Sequence, residues 1–322
     1  MRKLVQQVFA AIQLTRLTIA FGAISDIWFI ILLTRANEEY NYLPVWNMPL
    51  FVALLAGVVV AVGLYAYGAS LNDVLDVRHD TAFSPDRPIP AGHIRPAQAA
   101  VVTVGSLIVA VLGAVFLGMW AVCITLLTAA GLLFYNAAGK FIPAVGVLTI
   151  GLIHAAHMLI PNHQLTFMLP VWFVMTHTMA IATAVHVLED KRPRFSRRSV
   201  IVLVIGWCAW SIIILGAGML PEGDMWPVGT HWGGIVYPLL VVIAFLAVAW
   251  WKVTVVDGKV AAEKLKRYGA MWQSLYGAAW LLALGLAVEA MWIGLFAIAG
   301  FIAMTVIKEM SGLTGRPLEY RV

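Results

Sequence analysis

Residues 50–94 read LFVALLAGVVVAVGLYAYGASLNDVLDVRHDTAFSPDRPIPAGHI, and the two halves of this stretch decide the fold. The first half is apolar over about the 20 residues needed to cross a hydrocarbon core of roughly 30 Å. The run is continuous rather than alternating, so it reads as a helix and not as a barrel strand. The second half turns abruptly polar and sets Asn72, Asp73, Asp76 and Asp80 at the end of that helix.

Outward from this stretch the same kind of run recurs along the 322 residues. Spans are expected at about 14–34, 49–68, 97–117, 119–138, 143–160, 167–188, 199–219, 235–252, 271–288 and 290–307, with the last hairpin near Glu289. Composition agrees: 62% of residues are hydrophobic, 11% are charged and the mean hydropathy is +0.90. Soluble domains carry roughly 25% charged residues, so this chain cannot cover a water-facing surface. The expected architecture is an all-α, multi-pass bundle of nine to ten helices forming a single domain over residues 1–322. The polar, basic start before the first run has no small-residue cleavage site and is expected to stay as part of a first span. Cys123 and Cys208 lie inside apolar runs, which fits neither a disulfide framework nor a zinc site.

The net charge of +5 is sided. With ten spans and an inside N-terminus, 19 of the 21 Lys and Arg fall on one side; Arg16 sits inside the first span and only Arg35 falls outside. This is the positive-inside pattern of a cytoplasmic membrane protein, with the N-terminus and the acidic loop both cytoplasmic, and it excludes a nucleic-acid patch. On the other side, Trp226 and Trp232 are expected to anchor an interfacial belt.

The acidic loop carries the chemistry. If the second helix continues past Ser70, Asp73, Asp76 and Asp80 follow i, i+3, i+7 spacing and share one face. Carboxylates so placed repel one another unless a cation lies between them. Mg²⁺ suits the role, because it takes oxygen ligands and commonly keeps phosphate oxygens in its shell. Asn72 adds a neutral carbonyl. A solvated acidic helix end interacting with Arg78 and Arg87 is the bland alternative, but ionisable groups abutting an apolar bundle usually mark function. Arg87 suits either a diphosphate or a salt bridge to Asp86 or Asp80.

The pattern Asn72-Asp73-x-x-Asp76-x-x-x-Asp80, followed by Asp86-Arg87-Pro88-Ile89-Pro90-Ala91-Gly92, resembles the first signature of the UbiA-type intramembrane prenyltransferases. The resemblance implies a bundle with a central cavity opening toward the cytoplasm, a Mg²⁺ cofactor and a prenyl diphosphate substrate. It further implies a hydrophobic aromatic, macrocyclic or lipid acceptor, met among membrane lipids. Asn72, Asp73, Asp76 and Asp80 would be the first metal set, with Asp73 and Asp76 catalytic. The family's second acidic motif, spaced like DxxxD after the sixth helix, falls on His186-Val187-Leu188-Glu189-Asp190-Lys191-Arg192-Pro193-Arg194. Glu189 and Asp190 stand where acids are implied as metal ligands, Asp190 also as a base, while Val187 and Arg194 occupy positions where aspartates would be expected. Either His186 adds a nitrogen ligand or base, or Lys191, Arg192 and Arg194 bind the diphosphate directly; a basic cluster meeting anionic lipid is the third reading, preferred for Arg197 and Arg198. Tyr135 to Lys140 is similar to the family's Tyr-to-Lys segment, which implies that Lys140 meets phosphate. Arg16 either reaches the same cavity or snorkels to the interface.

His154, His157 and His177 are expected to pack or to meet an acceptor rather than a metal, and Asp26 to pair with one of them. Ten spans is one more than the family's usual nine. The weakened second motif leaves a second function class open, a UbiA-like fold that now binds lipid or a protein partner. A transporter fits less well, because the carboxylates cluster at one interface rather than near the midplane. Prenyl length, acceptor and oligomeric state are not written in these motifs.

Overall fold

The structure, a computed structural model, describes residues 20–222, 226–227, 230–256 and 258–313. Arg16, and the start of the expected first span, lie outside the described residues.

Ten long helices follow one another: α1 (Phe21–Ala36), α2 (Leu50–Leu75), α3 (Pro96–Leu117), α4 (Met119–Ala137), α5 (Pro143–Met158), α6 (Leu169–Leu188), α7 (Arg197–Glu222), α8 (Val236–Thr254), α9 (Gly258–Ala283) and α10 (Ala287–Leu313). No strand occurs among the described residues. Prolines at the first turns of α3, α5 and α6 sit where a missing N–H costs nothing. Gly118, at φ +111, makes the one-residue break between α3 and α4.

α1 is shared by two hydrophobic cores. Ile24, Ile27 and Ile31 join α2, α3 and α4, while Phe29, Ile30 and Leu33 join α5, α6, α9 and α10. The α2–α3 pair is the most intimate in the bundle. Ala53, Ala56 and Gly63 face Ala110, Gly113 and Ala114, the small-residue contact by which membrane helices bring backbones together. Outward, Val101 and Leu112 of α3, Ile205 and Ile212 of α7, and Ile243 and Trp250 of α8 are exposed apolar side chains suited to lipid. Among the described residues six helices are long and apolar enough to cross a membrane, and α5 and residues 287–303 are shorter apolar segments.

Two expectations need correction. The last hairpin is not at Glu289: the chain turns over Leu284–Leu286, where Gly285 takes φ +77 and Leu286 N–H returns to the Leu281 carbonyl. Glu289 belongs to the first turn of α10, and α9 starts at Gly258, so that Lys259, Glu263, Lys264, Lys266 and Arg267 ride on it. At 26 residues α9 is about 39 Å long and outreaches the apolar layer. Trp226, assigned above to the interfacial belt, is buried instead, stacked on Trp232 at 5.0 Å and edge-on to Phe167 at 5.4 Å.

Candidate active site

α2 runs on past Ser70 but only to Leu75, so the single helical face expected for Asp73, Asp76 and Asp80 is not continuous. Asp76 ends the helix at φ −91, ψ 6, its N–H still bonded to the Asn72 carbonyl, and a short helix, Val77–Phe83, carries Asp80 onward. Asp73 and Asp80 are almost wholly buried, at 4% and 3% exposure. Such carboxylates require cationic partners. Arg87 supplies one: its Nη1 donates to Asp80 Oδ2 at 2.6 Å and to Asp73 Oδ1 at 3.4 Å. Of the two salt-bridge partners expected for Arg87, Asp80 is the one engaged, and Asp73 is added to it. The turns over residues 84–94 hold Arg87 in place, through Arg87 N–H to the Ser84 carbonyl and Ile94 N–H to the Pro88 carbonyl.

Asp76 has a different partner. Lys140 Nζ, on the short 3₁₀ turn Gly139–Phe141 between α4 and α5, lies 2.6 Å from both of its oxygens. Asn72 Nδ2 donates to Asp76 Oδ2 at 3.2 Å and to Asn136 Oδ1 at 3.0 Å. Asn136, buried on α4, anchors itself to the Leu132 carbonyl at 3.0 Å. It therefore ties the end of α2 to the end of α4, a role not assigned to it above. Its signal was a lone carboxamide inside an apolar helix.

The second acidic pair divides. Glu189 caps α6 and is only 13% exposed at its side chain, held by Lys266 Nζ at 2.6 Å and Lys191 Nζ at 3.1 Å. Asp190, the expected ligand and base, turns the other way. At φ +47 its side chain is 58% exposed, with Arg194 bound to both oxygens at 2.6 and 2.9 Å and Arg192 at 3.7 Å. Those arginines hold its carboxyl below the usual carboxylate range, the hydrogen bond from Arg194 first. Asp190 and Arg194 thus satisfy each other on the surface, and Lys191 serves Glu189. His186 is spent on the Pro193 carbonyl, at 3.0 Å. Lys266, from a helix 77 residues further on, is the cation that sequence reasoning missed.

The two acidic ends lie on the same side of the bundle, where α2, α4 and α6 end. Deeper, Gln273 Nε2 meets His154 Nδ1 at 3.4 Å and Thr178 Oγ1 at 3.3 Å, and Tyr276 meets His177 at 3.3 Å. The expected pairing of Asp26 with a histidine is not formed: its buried Oδ2 has no hydrogen-bond partner, and neither has Nε2 of His157.

The donor set of Asn72, Asp73, Asp76 and Asp80 is all oxygen, the chemistry a hard divalent cation takes, and in charge and donor type it fits Mg²⁺. Its oxygens are divided between Arg87 and Lys140, and no three His, Cys, Asp or Glu side chains converge on one point among the described residues.

This fold and acidic end define a class of intramembrane helical protein, and the comparisons identify it. Residues 40–275 match the model of the UbiA prenyltransferase family, and the chain belongs to that family. Digeranylgeranylglyceryl phosphate synthase of Saccharolobus solfataricus is 36% identical over 90 residues, 28% of this chain and 32% of that protein. Its counterpart from Sulfurisphaera tokodaii is 33% identical over 110 residues, 34% of this chain and 39% of that protein. The chain therefore aligns with about a third of the length of these curated relatives. A solved structure of digeranylgeranylglyceryl phosphate synthase superposes with a TM-score of 0.54 at 18% identity, covering 89% of this chain and all of that one. A UbiA homologue from Aeropyrum pernix K1 also gives 0.54, at 16% identity over 82% of this chain and 97% of that one. At these identities the likeness is one of fold.

Proposed function

We propose that this protein transfers a prenyl group from an isoprenoid diphosphate to an acceptor within the membrane, at the end of the bundle that bears Asp73, Asp76, Asp80 and Glu189. The observation that carries this reading is the convergence of four carboxylates and four cations, Arg87, Lys140, Lys191 and Lys266, on one end of an apolar bundle. By the sidedness of Lys and Arg, that end faces the cytoplasm.

Asp73, Asp76 and Asp80, with Asn72, would hold Mg²⁺, which when bound neutralises charge building on the leaving diphosphate. Arg87 and Lys140 already lie on those carboxylates and need only a side-chain rotation to donate to diphosphate oxygens. Lys191 and Lys266 extend the positive charge toward Glu189. As the C–O bond of the donor breaks, the apolar walls of α1, α2 and α4 keep water from the allylic carbon. Asp76, once Lys140 has turned to the diphosphate, would take the acceptor's proton, since Asp190 faces outward. The relatives named digeranylgeranylglyceryl phosphate synthase make an isoprenoid glyceryl phosphate lipid the first acceptor to try.

One observation favours a second reading, in which the fold has lost transfer and serves as a lipid-binding or assembly partner: half of the second acidic pair is turned to the surface. Labelled geranylgeranyl diphosphate separates the two. Mg²⁺-dependent binding and turnover by purified protein, both abolished by Asp76→Ala, support transfer. Wild-type turnover in that variant, or no binding at any Mg²⁺ concentration, overturns it.

A further inference from the structure

Away from the acidic end, α8 and α9 carry a second arrangement. On the lipid-facing side a groove of about 350 Å³ runs between them, with Tyr237, Leu240, Val241 and Ala244 on one wall and Trp272 and Leu275 among the residues of the other. The helices are antiparallel neighbours, α8 ending at Thr254 and α9 starting at Gly258. Toward that connection the groove ends at Ala244 and Trp272, and the two helices run on beyond it to Lys252 on one side and Tyr268 on the other. These are steps of about 12 and 6 Å at 1.5 Å per residue.

There the chemistry changes. Lys252 Nζ lies 3.8 Å from the Trp251 ring and 5.7 Å from the Tyr268 ring. The Arg267 guanidinium lies 5.5 Å from Tyr268, so two cations flank one phenol ring. No ion pair to a carboxylate is formed by Lys252 or Arg267 among the described residues, whereas Lys266, their neighbour, is committed to Glu189. Lys252 stands in the last turn of α8, where the negative end of the helix dipole favours its positive charge and opposes an anion, so attraction for a phosphate must come from the two side-chain cations. All three residues are half-buried, at the depth where aromatic side chains meet headgroups.

We propose that the α8–α9 groove is a binding site for one anionic phospholipid, its phosphate held between Lys252 and Arg267 beside Tyr268 and an acyl chain laid along Val241, Ala244 and Trp272. Charge complementarity selects the occupant. A neutral chain fills the groove but leaves two cations unanswered, and a free phosphate answers the cations but leaves the apolar groove empty. Trp272 Nε1 is bonded to the Val241 carbonyl at 2.9 Å, so this wall is fixed before any lipid arrives. The site rests on none of the residues proposed for prenyl transfer.

Native mass spectrometry of the purified full chain in detergent, titrated with phosphatidylglycerol or phosphatidylcholine, tests it. Phosphatidylglycerol is expected to stay bound at one molecule per chain, about tenfold more tightly than phosphatidylcholine, the preference expected of two partly screened interfacial cations. Lys252→Gln with Arg267→Gln is expected to erase that preference, and Ala244→Phe to displace both lipids by filling the groove. Excess inorganic phosphate is expected not to compete. Equal affinity for the two lipids overturns the proposal. So does a preference that survives in the double variant, or displacement by inorganic phosphate alone. Unchanged thermal unfolding of the variants keeps a folding defect apart from a binding one.

Discussion

Lys140 Nζ sits 2.6 Å from both carboxylate oxygens of Asp76, a residue 64 positions earlier in the chain. The pair joins the end of α2 to the connection between α4 and α5, and both side chains are largely shielded, at 15% and 21% exposure. A lysine so placed neutralises the carboxylate, and under the proposed transfer it would also meet a phosphate oxygen. Lys140→Ala should lower prenyl transfer by roughly 10²-fold, the scale on which one charge-stabilising donor acts. The leftover carboxylate should cost about 1–2 kcal/mol of stability. In a double-mutant cycle with Asp76→Asn, the two losses should be strongly non-additive. Additive losses, measured by turnover and by thermal unfolding in detergent, would show that the pair does not work as a unit.

Arg87 carries two carboxylates at once, Asp80 at 2.6 Å and Asp73 at 3.4 Å, each nearly inaccessible. Removing a shared cation strands both charges. Arg87→Ala should destabilise the protein by about 3 kcal/mol or more, the range for breaking a buried pair. Arg87→Lys should recover part of that, since a single ammonium reaches one carboxylate better than two. Equal unfolding temperatures for the alanine and lysine variants would count against the bridging role.

The second acidic pair reverses the expectation drawn from its motif. Glu189 is shielded and held by Lys266 and Lys191, whereas Asp190 is exposed and held by Arg194. Glu189→Gln should therefore reduce transfer by tenfold or more, on the order of a lost catalytic charge contact, while Asp190→Asn should leave turnover near wild type. An inactive Asp190→Asn beside an active Glu189→Gln would restore the motif reading.

The same contrast has a pH signature. The carboxyl of Asp190 is held below its ordinary value of 3.8, chiefly by the hydrogen bond from Arg194. A group whose folded pKa is depressed adds stability that is present above its unfolded pKa and lost as pH falls through the folded one. Asp190→Asn should thus make a small difference to unfolding at neutral pH that vanishes in acid below the carboxylate range. Because the pair is exposed, raising the salt concentration should shrink it further. A difference that grows as pH falls would have the wrong sign.

Much of this was legible before any coordinates. Asp73, Asp76 and Asp80 declared themselves because their spacing is local, although α2 ends at Leu75 and a separate short helix carries Asp80, so they divide between Arg87 and Lys140. The ten helices were legible because each apolar run must satisfy its own backbone. What escaped was set by distant partners or by single dihedral angles. Lys266 looked like one more inside charge until α9 folded back beside α6. Asn136 looked incidental until α2 packed on α4. The outward turn of Asp190 depends on φ +47 at one residue, which nothing in the order of letters reports. The last hairpin was misplaced because the eye goes to a charge, Glu289, when the chain turns at a glycine, Gly285.

Glycine also gives the sharpest test of the packing that holds the acidic end in place. A Cβ on Gly63 would stand 2.7 Å from the Ala110 backbone nitrogen and 2.9 Å from its Cα, atoms that cannot rotate away. α2 would have to retreat from α3 along its whole length, moving the helix that ends in Asp73 and Asp76. Gly105, on the same partner helix, has nothing within 4 Å of such a Cβ. Gly63→Ala should lower the unfolding temperature in detergent and, by shifting α2, reduce prenyl diphosphate affinity; a cost of about 1–3 kcal/mol is the usual scale of overpacking. Gly105→Ala should be neutral or slightly stabilising, because alanine is the better helix former by up to about 1 kcal/mol. Matching behaviour of the two variants would mean that α2 and α3 do not rely on the close contact at Ala110.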